Sequence, residues 1–282
     1  MEAAQRLRQL LEESGAVAFG SCRATAVDAG EWKLFEDWLS KGYHAEMAYM
    51  ERYPEIRRDP RLLLPGARTI ISIAYNYRQA NPFPQIATYA LGQDYHKVLR
   101  KRLKRVVAEM KTEYGGEWRI CIDSAPILER YWAGKCGIGY RSKEHGNIVV
   151  PGYGSMVFLA ELITTELIDI PASTMPNAPI EQSKPACPTG ALKAGGIVDS
   201  RRCINYLTIE HREELDDEQR KFVGEALFGC DICQRACSYN QPPHPPVLPE
   251  FRPLQGLDAF LRGENPDFPI HLSPINRSRT LR

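Results

Sequence analysis

No apolar run in this 282-residue chain reaches the roughly 18 residues that a membrane-crossing helix needs, so no membrane span is expected. Charge of neither sign dominates: 36 Lys and Arg stand against 35 Asp and Glu, a formal net charge of +1. That balance excludes a globally basic nucleic-acid binder and leaves a local patch as the only way to meet such a partner. The first residues, MEAAQRLRQLLEESG, interleave acids with apolar residues and lack the apolar stretch and small-residue cleavage site of a secretory leader, so the expected location is cytoplasmic. With 43% apolar and 25% charged residues, the composition excludes a disordered chain and suffices for the core of one large or two modest domains.

Cysteine is present but unevenly placed. Cys22, Cys121 and Cys136 are scattered through the first half, whereas Cys187, Cys203, Cys230, Cys233 and Cys237 crowd into one later stretch. The scattered three are expected to be buried or partly buried structural thiols. In a reducing compartment the crowded set reads as metal ligands, because thiols there are not kept as disulfides. FGCDICQRACSYN carries a C-x2-C-x3-C spacing and ACPTGAL a separate Cys-Pro at Cys187 and Pro188. Both look like halves of the bacterial ferredoxin run C-x2-C-x2-C-x3-C-P, in which the fourth cysteine ligates the other of two clusters. Soft, anionic sulfur suits iron at both oxidation levels, and tight spacing presents several thiolates to one cubane. Four thiolates would equally satisfy a tetrahedral zinc, so a zinc-stapled structural protein is the alternative.

Along the chain, helical and strand patterns alternate. A helix is expected over residues 2–13, a strand at AVAFG, a long helix from Glu31 to Tyr49, and a strand at TIISIAY, residues 69–75. Strand RICID, helix APILERYWAG and the apolar runs NIVVP and SMVFLAELI follow. The alternation predicts an α+β fold, an α/β-like sandwich around a buried sheet. The Pro-containing stretch DIPASTMPNAPIEQSKPACP marks a boundary, giving an α/β domain over 1–170, a small helical domain over 171–245 and a Pro-rich tail over 246–282. No internal repeat is visible outside the cysteine region.

Residues 97–105, KVLRKRLKR, hold six basic side chains, while Leu99, Leu103, Val106, Val107 and Met110 recur at helical spacing. One face of that helix is core and the other basic. A solvated face is the ordinary reading of such a helix; a phosphate-binding face is the functional one.

Taken together, the runs KGYHAEMAYM, RRDPRLLLPGARTIISIAYNY, YALGQDYHKVLRKRLKR, IDSAPILERYWAGKCGIGY, GSMVFLAELI, ACPTGAL, DSRRCINYLTIEH and GCDICQRAC resemble the epoxyqueuosine reductases, cobalamin-dependent iron-sulfur enzymes of tRNA queuosine synthesis. The resemblance implies a nitroreductase-like cobalamin-binding domain followed by a ferredoxin-like domain with two 4Fe-4S clusters. It also implies removal of the epoxide oxygen of epoxyqueuosine in the tRNA anticodon, with electrons from an external one-electron donor such as a flavodoxin or ferredoxin. The cofactor would carry the hard chemistry and the protein would supply orientation and a proton. The proton donor implied is the Asp of D-S-A-P-[VI]-L-E, here Asp123, with a pKa expected to be raised beside an apolar corrin. A helix cap is the ordinary alternative for Asp123. Arg57, His96, Tyr140 and Lys143 fall on positions expected near the cobalamin; a loop salt bridge for Arg57 and a structural hydrogen bond for His96 are the alternatives.

The chain departs from that pattern in three places. Counting back from Cys187, the first ferredoxin motif would need ligands at Ser183, Ile180 and Asn177, and none is cysteine. One cluster is therefore expected to be absent and the other to be held by Cys187, Cys203, Cys230 and Cys233, leaving Cys237 without a cluster to serve. Tyr140 and Ser142 stand where Trp and Gly are usual, and a glycine lost at a left-handed position would be costly. The chain ends at Arg282 without the helical-repeat extension of longer members. These departures leave a degenerate, non-catalytic homologue that binds tRNA or a corrinoid as the competing expectation.

Overall fold

TIISIAY is β-branched and apolar at consecutive positions, the pattern of a strand covered on both faces. In the computed structural model, which describes residues 2–172, 186–242 and 245–278, this run is buried at every position and forms the middle of the sheet. The first part of the chain runs α1 (Glu2–Glu13), β1 (Ala18–Arg23), α2 (Ala29–Ser40), α3 (Pro54–Arg58), β2 (Thr69–Asn76), α4 (Tyr95–Tyr114), β3 (Trp118–Cys121), α5 (Glu129–Lys135), β4 (Tyr140–Arg141), β5 (Ile148–Val149) and β6 (Val157–Thr164). Strands β1, β2, β6 and β3 make one antiparallel sheet in that order, with Phe19 opposite Ile73, Ile73 opposite Ala160 and Ile120 opposite Leu162.

Side chains alternate across this sheet. Phe19, Ile71, Ile73, Phe158 and Leu162 point to one face, where Leu7 and Leu11 of α1 and Leu99, Leu103 and Val106 of α4 cover them. Ile70 and Ile163 point to the other, against Trp132 of α5 and Trp32 of α2. Each fully buried Leu or Ile contributes about 1.5–3 kcal/mol through water exclusion. Helices on both faces of an antiparallel sheet make this an α+β sandwich, as the alternation predicts.

Two helices are shorter than expected. The helix of residue 31 onward stops at Ser40, because Gly42 takes φ +65 and Ala45 φ +53, a left-handed turn that a helix cannot continue through. The APILERYWAG helix starts only at Glu129, since residues 122–127 are tied into tight turns by Ser124 N–H to Ile122 O and Ile127 N–H to Ala125 O.

The cysteine region adds the hairpin β7 (Leu192–Lys193) and β8 (Ile197–Val198), then α6 (Ile204–Ile209), α7 (Asp217–Val223) and α8 (Ile232–Arg235). It is bound to the sheet region by backbone and side-chain bonds. Ala87 N–H donates to Phe228 O at 2.9 Å, the Thr88 hydroxyl donates to Asp231 Oδ2 at 2.5 Å, and Ser155 N–H donates to Asn240 Oδ1 at 2.8 Å. The tail adds α9 (Leu257–Leu261) and inserts Leu248 and Phe251 into the main core. Asn177, Ile180 and Ser183 lie outside the described residues. Among the described residues, no helix is long and apolar enough to cross a membrane.

Candidate active site

Asp94 and His96 open α4. Asp94 is its N-cap, and its Oδ1 accepts the His96 backbone N–H at 3.0 Å, satisfying one of the amide groups a helix start leaves open. The same Oδ1 lies 2.9 Å from His96 Nδ1, while His96 Nε2 lies 3.0 Å from Asp123 Oδ2. Tyr95 donates its hydroxyl to that oxygen as well, at 3.0 Å. The Tyr95 ring is fixed between His96, 4.0 Å away, and Phe158, 4.3 Å away and nearly parallel. A helix N-terminus, a ring stack and a strand end thus converge on one carboxylate.

Burial opposes a charge on His96, but the hydrogen bonds and charges of Asp123 and Asp94 outweigh it and push its pKa up to about 9. Burial also raises Asp123, yet His96, the Tyr95 hydroxyl and Arg277 together hold it below its ordinary value. Among the protein's own side chains, Asp123 is therefore ionised and the proton rests on the imidazole between two carboxylates. Nor is Asp123 a helix cap. The residue before α5 is Leu128, and Asp123 instead has φ +55, with its backbone N–H donating to Glu129 Oε1 at 2.6 Å.

The Asp123 side chain is 57% exposed although protein surrounds it densely, and the same holds for the exposed Arg130. Open side chains enclosed by protein mass are the mark of a deep cleft. A cavity that shares Arg130 is lined by Tyr77, Asn147, Ser155, Val157 and Gln234, which places it between the α5 face of the sheet and α8. Tyr77, just past β2, feels the charge of Cys233.

The four expected cluster thiols come together electrostatically. Cys203 caps α6, Cys233 lies in α8, Cys230 stands two residues before α8, and Cys187 precedes the β7–β8 hairpin. Burial, then the charges of the other three thiols, push Cys233 up to about 12; burial and the charges of Cys203 and Cys187 help to push Cys230 up to about 11. Cys187 is lowered: burial raises it, but the Thr189 hydroxyl and the amides of Leu192, Thr189 and Ala191 outweigh that effect. Among the described residues, no three His, Cys, Asp or Glu side chains close in enough to hold a single metal ion. Cys237, 2% exposed, lies in the turn after α8.

A family profile described as epoxyqueuosine reductase QueG, DUF1730, matches residues 57–124, and one described as a 4Fe-4S double cluster binding domain matches residues 184–240. Over 248 residues the chain is 36% identical to an epoxyqueuosine reductase of Cyclobacterium marinum, covering 85% of this chain and 79% of the relative. The chain belongs to the epoxyqueuosine reductase family. Two solved members agree in fold. One, bound to an epoxyqueuosine-modified tyrosine tRNA stem loop, is 30% identical with a TM-score of 0.79, covering 91% of this chain and 70% of that one. The other, from Bacillus subtilis, has an aspartate-bearing catalytic loop swung out of the active site; it is 28% identical with a TM-score of 0.80, covering 99% and 78%.

Within the family frame, the departures become concrete. The double-cluster match begins at residue 184, past the three positions that lack cysteine. Ser142 is harmless to the backbone: among the described residues positive φ outside glycine occurs only at Ala45, Tyr53 and Asp123. Its hydroxyl instead accepts the Glu144 N–H at 3.0 Å and closes the turn that carries the exposed Lys143. Tyr140, on β4, meets Tyr239 edge-on at 6.4 Å. Arg57, 6% exposed, donates to Tyr49 O at 3.2 Å and lies over the Phe35 ring, and its Nε has no partner among the described residues. It makes no ion pair among the described residues, so a loop salt bridge does not account for it. Asp94, Tyr95 and Glu129 escaped sequence reasoning, although Asp-Tyr-His before a helical run carries the N-cap signal that points to the first.

Proposed function

We propose that this chain reduces the epoxide of epoxyqueuosine in tRNA, the reaction for which its family is named. The carrying observation is the chain of contacts Asp94, His96, Asp123, which ends on an exposed carboxylate. Removing the epoxide oxygen takes two electrons and two protons, leaves a carbon-carbon double bond and releases water. Asp123 is the group that meets the developing oxyanion. Because it is ionised at rest, its proton comes from His96 through the 3.0 Å contact, and Asp94 stabilises the imidazolium until transfer. Tyr95 holds the Asp123 oxygen in line.

The residues present fit the cofactors that the family implies. Cys187, Cys203, Cys230 and Cys233 would hold one 4Fe-4S cluster, and no second cluster is assigned because Asn177, Ile180 and Ser183 offer no thiolate. Arg57, whose Nε is buried without a partner among the described residues, together with Tyr140, Lys143 and His96, would face cobalamin in the cleft. Bound there, cobalamin would supply the electrons for the reduction, fed from the cluster and an external one-electron donor such as a flavodoxin or ferredoxin. The functional division that goes with this reading is residues 1–170 for cobalamin, 171–245 for iron-sulfur and 246–282 as tail.

The RNA partner is supported by the relative bound to a tRNA stem loop and by α4. Lys97, Arg100, Lys101, Lys104 and Arg105 are exposed along the helix that begins at the catalytic histidine, so a basic track leads away from the cleft. RNA would be gripped through its backbone with the modified base splayed into the cleft. A tRNA substrate supports a cytoplasmic location. The missing first cysteine motif favours one competing reading, a homologue that binds without turnover.

Anaerobic reconstitution with iron, sulfide and cobalamin, followed by metal analysis and assay on an epoxyqueuosine-bearing stem loop, decides between them. About four iron and one cobalt per chain with turnover are expected; metal loading without turnover under strong reductant would establish the non-catalytic homologue.

A further inference from the structure

We infer that Glu129 is the positioning residue that latches the Asp123 loop into the cleft, through the hydrogen bond its carboxylate accepts from the Asp123 backbone N–H. The inference deepens the proposed function and rests on the acid role of Asp123.

Three observations carry it. First, Asp123 has φ +55, a left-handed conformation disfavoured for a residue with a Cβ, so the loop needs an external tie to stay there. Second, the Asp123 N–H donates to Glu129 Oε1 at 2.6 Å, and among the described residues no other element supplies an acceptor for it. Third, Glu129 is the first residue of α5, and that helix has no side-chain cap of its own, so the carboxylate that could serve the helix start is turned to the loop instead. Helix α5 is in turn fixed, with Trp132 and Ala133 fully buried against the sheet. A rigid helix thus holds a strained loop by one short bond. The relative whose catalytic loop is swung out shows that the corresponding loop of that protein can leave its site.

Charge around Glu129 is arranged so that the latch and the acid sense each other. Asp123 on the loop and Glu161 on β6 oppose its ionisation, whereas Arg130 on α5 and His96 on α4 favour it. Its function as a hydrogen-bond acceptor survives in either protonation state, because a neutral carboxyl keeps an acceptor oxygen. Glutamine keeps one too, and alanine does not.

The test compares Glu129→Gln and Glu129→Ala in the full chain reconstituted with cobalamin and iron-sulfur cluster, with Asp123→Asn run in parallel. Amide hydrogen exchange over residues 121–128 reads the latch directly; kcat and KM on the modified stem loop read its consequence. Glu129→Ala is expected to lose at least tenfold in exchange protection of that segment and at least tenfold in kcat, with KM within about twofold, while Glu129→Gln stays within about threefold of the parent in both. Unchanged exchange in Glu129→Ala, or a Glu129→Gln variant as impaired as alanine, would overturn the latch. Full activity of Asp123→Asn would remove the acid role instead, and the exchange result would still decide whether Glu129 holds the loop.

Discussion

His96 Nε2 lies 3.0 Å from Asp123 Oδ2, and the same ring places Nδ1 2.9 Å from Asp94 Oδ1, so one imidazole is held between two carboxylates. In neutral imidazole one ring nitrogen is an acceptor and would face a carboxylate without a proton between them. The arrangement therefore favours the doubly protonated ring, which is why its pKa rises to about 9 despite burial.

Activity should follow that proton. Turnover is expected to fall as pH rises through about 9, when His96 loses its charge. His96→Gln should lower kcat about 100-fold and abolish the alkaline limb, because amide groups position Asp123 without reloading it. A variant that kept the same limb would place the titrating group elsewhere.

Stability should carry the same signature. His96 has a folded pKa above its unfolded value of about 6.5, so its contribution is fully present below that pH and is lost as pH rises toward 9. Asp94 and Asp123 are lowered on folding, so theirs is present above about pH 4 and lost in acid. Denaturant midpoints measured from pH 4 to 10 should peak between those limits, and His96→Gln should flatten the alkaline side. An unchanged alkaline slope in that variant would count against the assignment.

Much of this was legible in the residues themselves. The buried central strand and the two-sided α4 both follow from patterns local to a few residues. What was hidden depends on contacts between distant segments. The pKa of Asp123 is set by His96, 27 positions earlier, and by Arg277 in the tail, so a family motif could name the residue but not its protonation. Helix α2 stops early because Gly42 turns left-handed, a local signal overridden in reading by the apolar residues beyond it. Glu161 is a polar residue inside an apolar strand, and only the packing reveals that it is fully buried.

The cluster assignment makes a paired prediction. Cys230→Ser should abolish iron and acid-labile sulfide, whereas Cys237→Ser should leave both unchanged, since the groups that raise Cys230 and Cys233 include Cys187 and Cys203. Equal loss in both variants would show that the ligand set has been assigned to the wrong cysteines.

On the basic helix, position decides which cations are available to RNA. Arg102 is engaged by Glu250 at 2.6 Å and serves the tail, while Lys101 and Lys104 are exposed. Lys101→Glu and Lys104→Glu should each weaken stem-loop binding and reduce the slope of log affinity against log salt by about 0.7–0.9, the value for one phosphate contact. Arg102→Ala should leave the slope nearly unchanged and lower thermal stability. Salt titrations by fluorescence anisotropy would show whether the slopes separate in that way.

Glu161 offers a prediction about stability alone. It is fully buried on β6, accepts the Ser72 hydroxyl at 3.3 Å through Oε1, and its Oε2 has no partner among the described residues. Burial, reinforced by the charge of Glu129, raises its pKa well above the ordinary carboxyl value, so the folded state holds it neutral. The unfolded chain releases that proton above about pH 4.5, which draws the equilibrium toward unfolding by about 1.4 kcal/mol per pH unit until the folded pKa is reached. Glutamine has the same shape, keeps an acceptor for Ser72 and never ionises. Glu161→Gln should therefore be close to the parent in stability near pH 5 and more stable at pH 8, with the advantage growing between them. Urea unfolding at the two pH values checks this, and a variant that is less stable at pH 8 than at pH 5, relative to the parent, would mean that Glu161 is ionised in the fold.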